Sequence, residues 1–107
     1  EMADLSKLLA LDDGAFRRLF AGTPVRRLGR DRFLRNVLIA AGNSRDDRLS
    51  ALVEPLLRDP SPLVRAMAVW ALAQLRGNAA TAALAQSHLG GESDAEVRAE
   101  WAAVLSQ

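Results

Sequence analysis

Apolar residues recur along this chain at three- and four-residue intervals, the spacing of one face of an α-helix. Residues 62–76 give the clearest stripe: Val64, Met67, Ala68, Ala71, Leu72 and Leu75. Ser61 is placed to cap this helix, Pro62 suits its first position, and Gly77 ends it. A second stripe, Val97, Trp101, Val104 and Leu105, predicts a helix over 94–106, with Ser93 and Glu96 at capping-box spacing. Further helices are expected at 12–20 (burying Phe16, Leu19 and Phe20), 30–42, and 47–58 (burying Leu49, Leu52, Val53, Leu56 and Leu57). Asp12 and Asp46 or Asp47 serve as caps, Gly22 lies beyond the first of these helices, and Pro55 kinks or shortens the last. Residues 37–41 are apolar all round and belong at the centre. Weaker helices are expected over 3–9 and 79–89. No segment alternates as a strand does.

The second half repeats itself. Residues 59–72 align with residues 92–105 at a spacing of 33, placing Val64-Arg65-Ala66 on Val97-Arg98-Ala99 and Leu72 on Leu105. Residues 35–42 fit the same pattern about 31 positions earlier, with Leu34 in the place of Arg65 and Ile39 in that of Trp70. Each unit is a helix, a turn bearing an acid, and a helix opening with Val-Arg. This pattern resembles the HEAT-like repeat, in which helix pairs stack on their neighbours. The expectation is therefore an all-α protein, a short α-solenoid of about 6–7 helices. It is a single domain over 1–107, with an N-terminal helical cap and basic turn over 1–29 and HEAT-like helix pairs over 30–107. In such repeats Arg65 and Arg98 bridge to a turn acid, here Asp59 or Glu92.

Charge changes the picture more than composition does. Lys+Arg 14 against Asp+Glu 13 leaves a formal charge of +1 over 107 residues, but the distribution is uneven. Residues 17–35 hold seven arginines, Arg17, Arg18, Arg26, Arg27, Arg30, Arg32 and Arg35, against Asp31 alone, a balance of +6 between two acidic ends. Arginine pairs bidentately with phosphate and stacks on bases, so a clustered segment is a candidate nucleic-acid footprint. The competing reading is a solvated basic face that pairs with the acidic N-terminal stretch.

The remaining chemistry is sparse. Zero Cys excludes disulfides, thiolate metal sites and a cysteine nucleophile, and a single His excludes multi-histidine sites. Ser87 adjoins His88 but does not face it on a helix, so His88 reads as a helix-end charge or a surface group. Catalysis by this chain alone is not expected: there are no catalytic, cofactor-binding or metal residues. No run of about 18 apolar residues and no secretory leader are visible, so a soluble, cytoplasmic domain is expected.

Residues 16–44 carry a more specific likeness. Phe16 and Phe20, Gly22-Thr23-Pro24, Arg26-Arg27, Leu34-Arg35-Asn36 and Ala41-Gly42-Asn43 stand in the order found in the C-terminal part of the epoxyqueuosine reductase family, and Asp59 to Arg65 and Trp70 to Leu72 continue it. The resemblance implies a tRNA partner and a parent oxidoreductase with iron–sulfur clusters and cobalamin, acting in the final reduction step of queuosine biosynthesis. The cysteines and the length for that chemistry are missing here, so the likeness is to a tail domain without its catalytic regions, which would be its other partners. Arg26, Arg27 and Arg30 are then the foremost RNA-binding candidates, exposed by an extended Thr23-Pro24 turn, with Arg17, Arg18, Arg32 and Arg35 behind them. Asn36 is expected as a buried amide holding the loop. The alternative is a HEAT-like protein-binding scaffold or intramolecular docking module, with Leu5, Leu8 and Leu9 covering the neighbour.

Overall fold

The computed structural model describes residues 2–106, with side chains from residue 4 onward. In chain order the helices are α1 (Met2–Leu9), α2 (Asp13–Leu19), α3 (Val25–Leu28), α4 (Arg30–Ser44), α5 (Ser50–Val53), α6 (Pro62–Arg76), α7 (Asn78–Ala82), α8 (Ala85–His88) and α9 (Ala95–Leu105). Short 3-10 turns at Asp47–Leu49 and Glu54–Arg58 flank α5, and another at Leu89–Gly91 follows α8. No strand occurs among the described residues.

The long helix α6 is the spine. Its Val64, Ala68, Val69, Ala71, Leu72 and Leu75 are buried, because it lies between α4 on one side and α9 on the other. Helix α5 and the 54–58 turn pack on α6 as one outer layer, α7 packs on both α6 and α9, and α1 closes the other end against α4 and α5. Two helix pairs and a cap thus form a stack of 43 × 29 × 17 Å. Leu34, Leu38, Ala41, Leu49, Val53 and Val97 complete a continuous core.

The seam between α4 and α6 is unusually close. A Cβ on Gly42 would lie 2.6 Å from Trp70 Cζ3 and 3.2 Å from the Ala71 Cα. Gly42 is in ordinary helical conformation, so it serves here by lacking a side chain, which lets the Trp70 ring and the α6 backbone reach α4.

Local signals act where expected. Ser61 accepts from the Val64 N–H, Asp12 from Ala15 and Asp46 from Arg48, and Gly77 ends α6 at φ 88°. Pro55 breaks the 47–58 segment into α5 and its flanking turns, since it cannot donate an amide.

Several expectations are corrected. The 94–106 helix is capped by Asp94, whose carboxylate accepts from the amides of Glu96 and Val97; a carboxylate outcompetes the neutral Ser93 hydroxyl there. The 79–89 segment is interrupted between α7 and α8, where Ala-rich sequence offers few anchors. Leu19 (56%), Leu52 and Leu105 (48%) are exposed, because short helices at the rim have a neighbour on one side only. Leu9 is buried, and Leu5 and Leu8 are half-buried against this domain's own core, packing toward α4 and α5. His88 is half-buried and stacked on Trp101, with centroids 5.8 Å apart at 18°. It stands in the last turn of α8, where burial, then the nearby Arg58 charge, lowers its pKa and so disfavours the charged form.

Candidate nucleic-acid interface

The arginine segment is held by an aromatic clamp. Phe16 and Phe20 at α2 meet Phe33 on α4, with ring centroids 5.1, 5.4 and 4.9 Å apart and all three pairs tilted. Tilted aromatic pairs at this separation are attractive beyond their burial. The clamp fixes both ends of the connection from Phe20 to Gly29. Within it Gly22 takes φ 75° and Gly29 φ 86°, conformations that disfavour other residues.

The connection is more ordered than an extended turn. Pro24 adopts φ −61° and ψ −27°, helical values, and starts the single turn α3. Proline is pre-organised for a helix start, which outweighs its bias on the preceding residue. The Thr23 hydroxyl and amide both donate to the Phe20 carbonyl, at 2.7 and 3.0 Å. Arg26 and Arg27 project from this turn into solvent, and no ion pair reaches either among the described residues.

Two open clefts meet at Arg26. One, about 380 Å³, is lined by Gly22, Thr23, Pro24, Arg26 and Arg27. The other, about 320 Å³, is lined by Asp13, Phe16, Arg17, Arg26, Gly29 and Arg30. A further cleft of about 450 Å³ brings Arg32 beside Arg30. The structure thus gathers Arg17, Arg26, Arg27 and Arg30, with Arg32 adjoining. Arg18 is exposed and unpaired among the described residues but lines none of these clefts. Arg35 lies outside them too: its Nη2 donates to the neighbouring Asn36 at 3.3 Å, and its buried Nε has no hydrogen-bond partner among the described residues.

These arginines are not equally available. Arg17 pairs with Asp13 one helical turn away at 3.1 Å, both side chains well exposed, a pairing that costs little to exchange. Arg30 is committed. Its Nη2 and Nη1 donate to the two oxygens of Asp59 at 2.7 and 2.9 Å, and its Nε to the Leu11 carbonyl at 3.1 Å. Asp59 is nearly enclosed and also accepts from the Ser61 amide. The hydrogen bond to Asp59 outweighs burial and holds Arg30 charged more firmly than a free guanidinium.

The Arg30–Asp59 pair has a counterpart one repeat on. Arg65 donates from Nε and Nη2 to Glu92 at 2.9 and 3.0 Å and from Nη1 to the carbonyls of Asp59 and Pro60. Its hydrogen bond is the main cause holding the Glu92 carboxyl below the usual range. So Arg65 does meet a turn acid, that of the following turn. Among the described residues Arg98 meets only carbonyls. The place of Arg65 in the first unit is filled by Arg30 and not Leu34, which is fully buried; Arg30 lies one turn earlier on the same face. Asn36 is exposed and holds no loop, since its face of α4 points away from the core.

There is no Cys, the single His is stacked on Trp101, and no group of three or more His, Asp or Glu side chains is gathered among the described residues. No helix among them is long and apolar enough to cross a membrane.

Comparison with known proteins agrees with this architecture. A family model described as HEAT repeats matches residues 28–106. A protein of Xanthomonas campestris pv. campestris named epoxyqueuosine reductase is 43% identical over 76 residues, covering 69% of this chain and 21% of that protein. One of the same name from Alicycliphilus denitrificans is 40% identical over 82 residues, covering 69% of this chain and 23% of its own length. The chain spans about a fifth of the length of these curated relatives. No solved structure matches significantly.

Proposed function

Because this chain belongs to the HEAT-repeat family, whose stacked helices form a rigid support, we propose that it is the C-terminal helical-repeat domain of an epoxyqueuosine reductase and that its arginine turn helps bind tRNA. The observation that carries the reading is the pair Arg26 and Arg27. They are exposed, unpaired among the described residues, and set on a turn that the Phe16–Phe20–Phe33 clamp and Gly22 and Gly29 hold in place. Guanidinium groups so placed neutralise phosphates and release counterions, giving affinity without reading sequence. Arg17, Arg18 and Arg32 extend the basic surface, while Arg30 supports it through Asp59. Iron–sulfur clusters, cobalamin and the reduction of the epoxide are assigned to other parts of the parent protein; without cysteine this chain offers no thiolates for a cluster.

The test is binding to unmodified tRNA across a salt series. Arg26→Ala with Arg27→Ala is expected to weaken binding roughly tenfold at moderate salt and to flatten the log–log salt slope by about 1–2. An unchanged slope overturns the RNA reading. It leaves the turn as a docking surface for the rest of the parent chain, a role that the exposed Leu19 and Leu28 beside these arginines favour.

A further inference from the structure

The arginine–carboxylate ladder has a direction. Arg30 holds the Leu11 carbonyl behind it and the Asp59 carboxylate ahead. Arg65 holds the Asp59 carbonyl behind it and the Glu92 carboxylate ahead. Each arginine therefore grips its own turn through a carbonyl and the next turn through a carboxylate. Arg98 makes only the first half of this contact. Its Nη1 donates to the carbonyls of Leu89 and Glu92 at 3.2 and 2.9 Å, and no carboxylate reaches its Nε or Nη2 among the described residues. Beside it opens a cleft of about 420 Å³ lined by Ala85, Gln86, Leu89, Gly90, Arg98 and Leu105.

We propose that this face binds an acidic, helix-opening turn of a protein partner. The carboxylate takes the open Nε and Nη2 edge of Arg98, and the partner's apolar side chains seat on Leu89 and Leu105. The two filled rungs define the occupant. Asp59 and Glu92 each stand six residues before the arginine of their own unit. Each also accepts the amide of the residue two positions on, Ser61 or Asp94, which caps the helix that follows. The fitting ligand is therefore acid-x-Ser or acid-x-Asp at the start of an amphipathic helix.

A fluorescein-labelled peptide with the sequence of residues 89–106 carries such a turn and serves as the probe, read by polarisation against the whole chain. Saturable binding is expected by roughly 100 µM, the range of a small transient contact. Arg98→Gln weakens it about tenfold, Glu92→Gln in the peptide does the same, and the two together cost little more than either, the sign of a direct pair. Leu105→Asp, at an exposed position, weakens it without touching the ladder. Arg98→Gln leaves tRNA binding unchanged, which separates this surface from the arginine turn. Absence of saturable binding, equal affinity of the Arg98→Gln chain, or self-association that Arg98→Gln abolishes overturns the proposal.

Discussion

Replacing Gly42 by alanine sets two opposed effects against each other. Alanine in a helix interior is favoured over glycine by about 1 kcal/mol. Against this, the new methyl would lie 2.6 Å from Trp70 Cζ3, 3.1 Å from Cη2 and 3.2 Å from the Ala71 Cα. Carbon atoms settle at roughly 3.5–4.0 Å, so the ring must retreat by about 1 Å and α6 by a few tenths. The half-exposed Trp70 can tilt, but the Ala71 backbone can move only by opening the seam between the two longest helices. Overpacking of this kind costs typically 1–3 kcal/mol. The net expectation is a loss of about 1 kcal/mol, or roughly 4–8 °C in Tm for a domain of this size. Thermal unfolding followed by circular dichroism measures it. Gly42→Ala should become neutral or stabilising in a Trp70→Leu background, a coupling of about 1 kcal/mol. A Gly42→Ala protein with unchanged or higher Tm refutes the close-seam account.

Asp59→Ala leaves Arg30, at a largely enclosed site, with only the exposed Asp31 as a carboxylate partner at 3.2 Å, and is expected to cost about 3 kcal/mol in urea unfolding. Asp46→Ala, which removes a pair with the exposed Arg48 and the cap on its amide, should cost less, about 1 kcal/mol. His88 is held below its ordinary pKa by burial and the Arg58 charge, with Glu54 acting weakly the other way. The unfolded chain thus binds this proton more readily than the folded one. His88 should therefore destabilise the fold as pH falls from above the unfolded value, near 6.5, toward the lower folded value. His88→Gln should flatten the denaturation midpoint between those limits, and an equally steep profile in the variant counts against it.

The parts of the fold set by local chemistry could be read from the chain. The Ser61-Pro62 start and Gly77 stop of α6, the Pro55 break and the 33-residue spacing each act through a few adjacent residues. What escaped was decided by neighbours far along the chain. Nothing near Gly42 announces that Trp70 lies over it. Arg30 looks like its six fellow arginines until Asp59, 29 positions later, captures it. Register misled at Leu34, because the first repeat places its arginine one turn earlier. For the candidate site, the exposure of Arg26 and Arg27 was legible. The helical turn beneath them was not, because proline acts oppositely on the residue before it and on the helix it opens.

The placement of the aromatic rings gives the molecule two built-in optical reporters. Trp70 sits in the seam between α4 and α6, and Trp101 lies under His88 at the α9 end. The arginine turn rests on phenylalanines, and the chain has no tyrosine. Tryptophan emission therefore follows the two joints of the stack and is silent at the basic turn. An emission change on adding a polyanion would mean that a load at one end is felt mechanically along the spine, whereas binding seen only by polarisation would mean that the stack behaves as a stiff bracket.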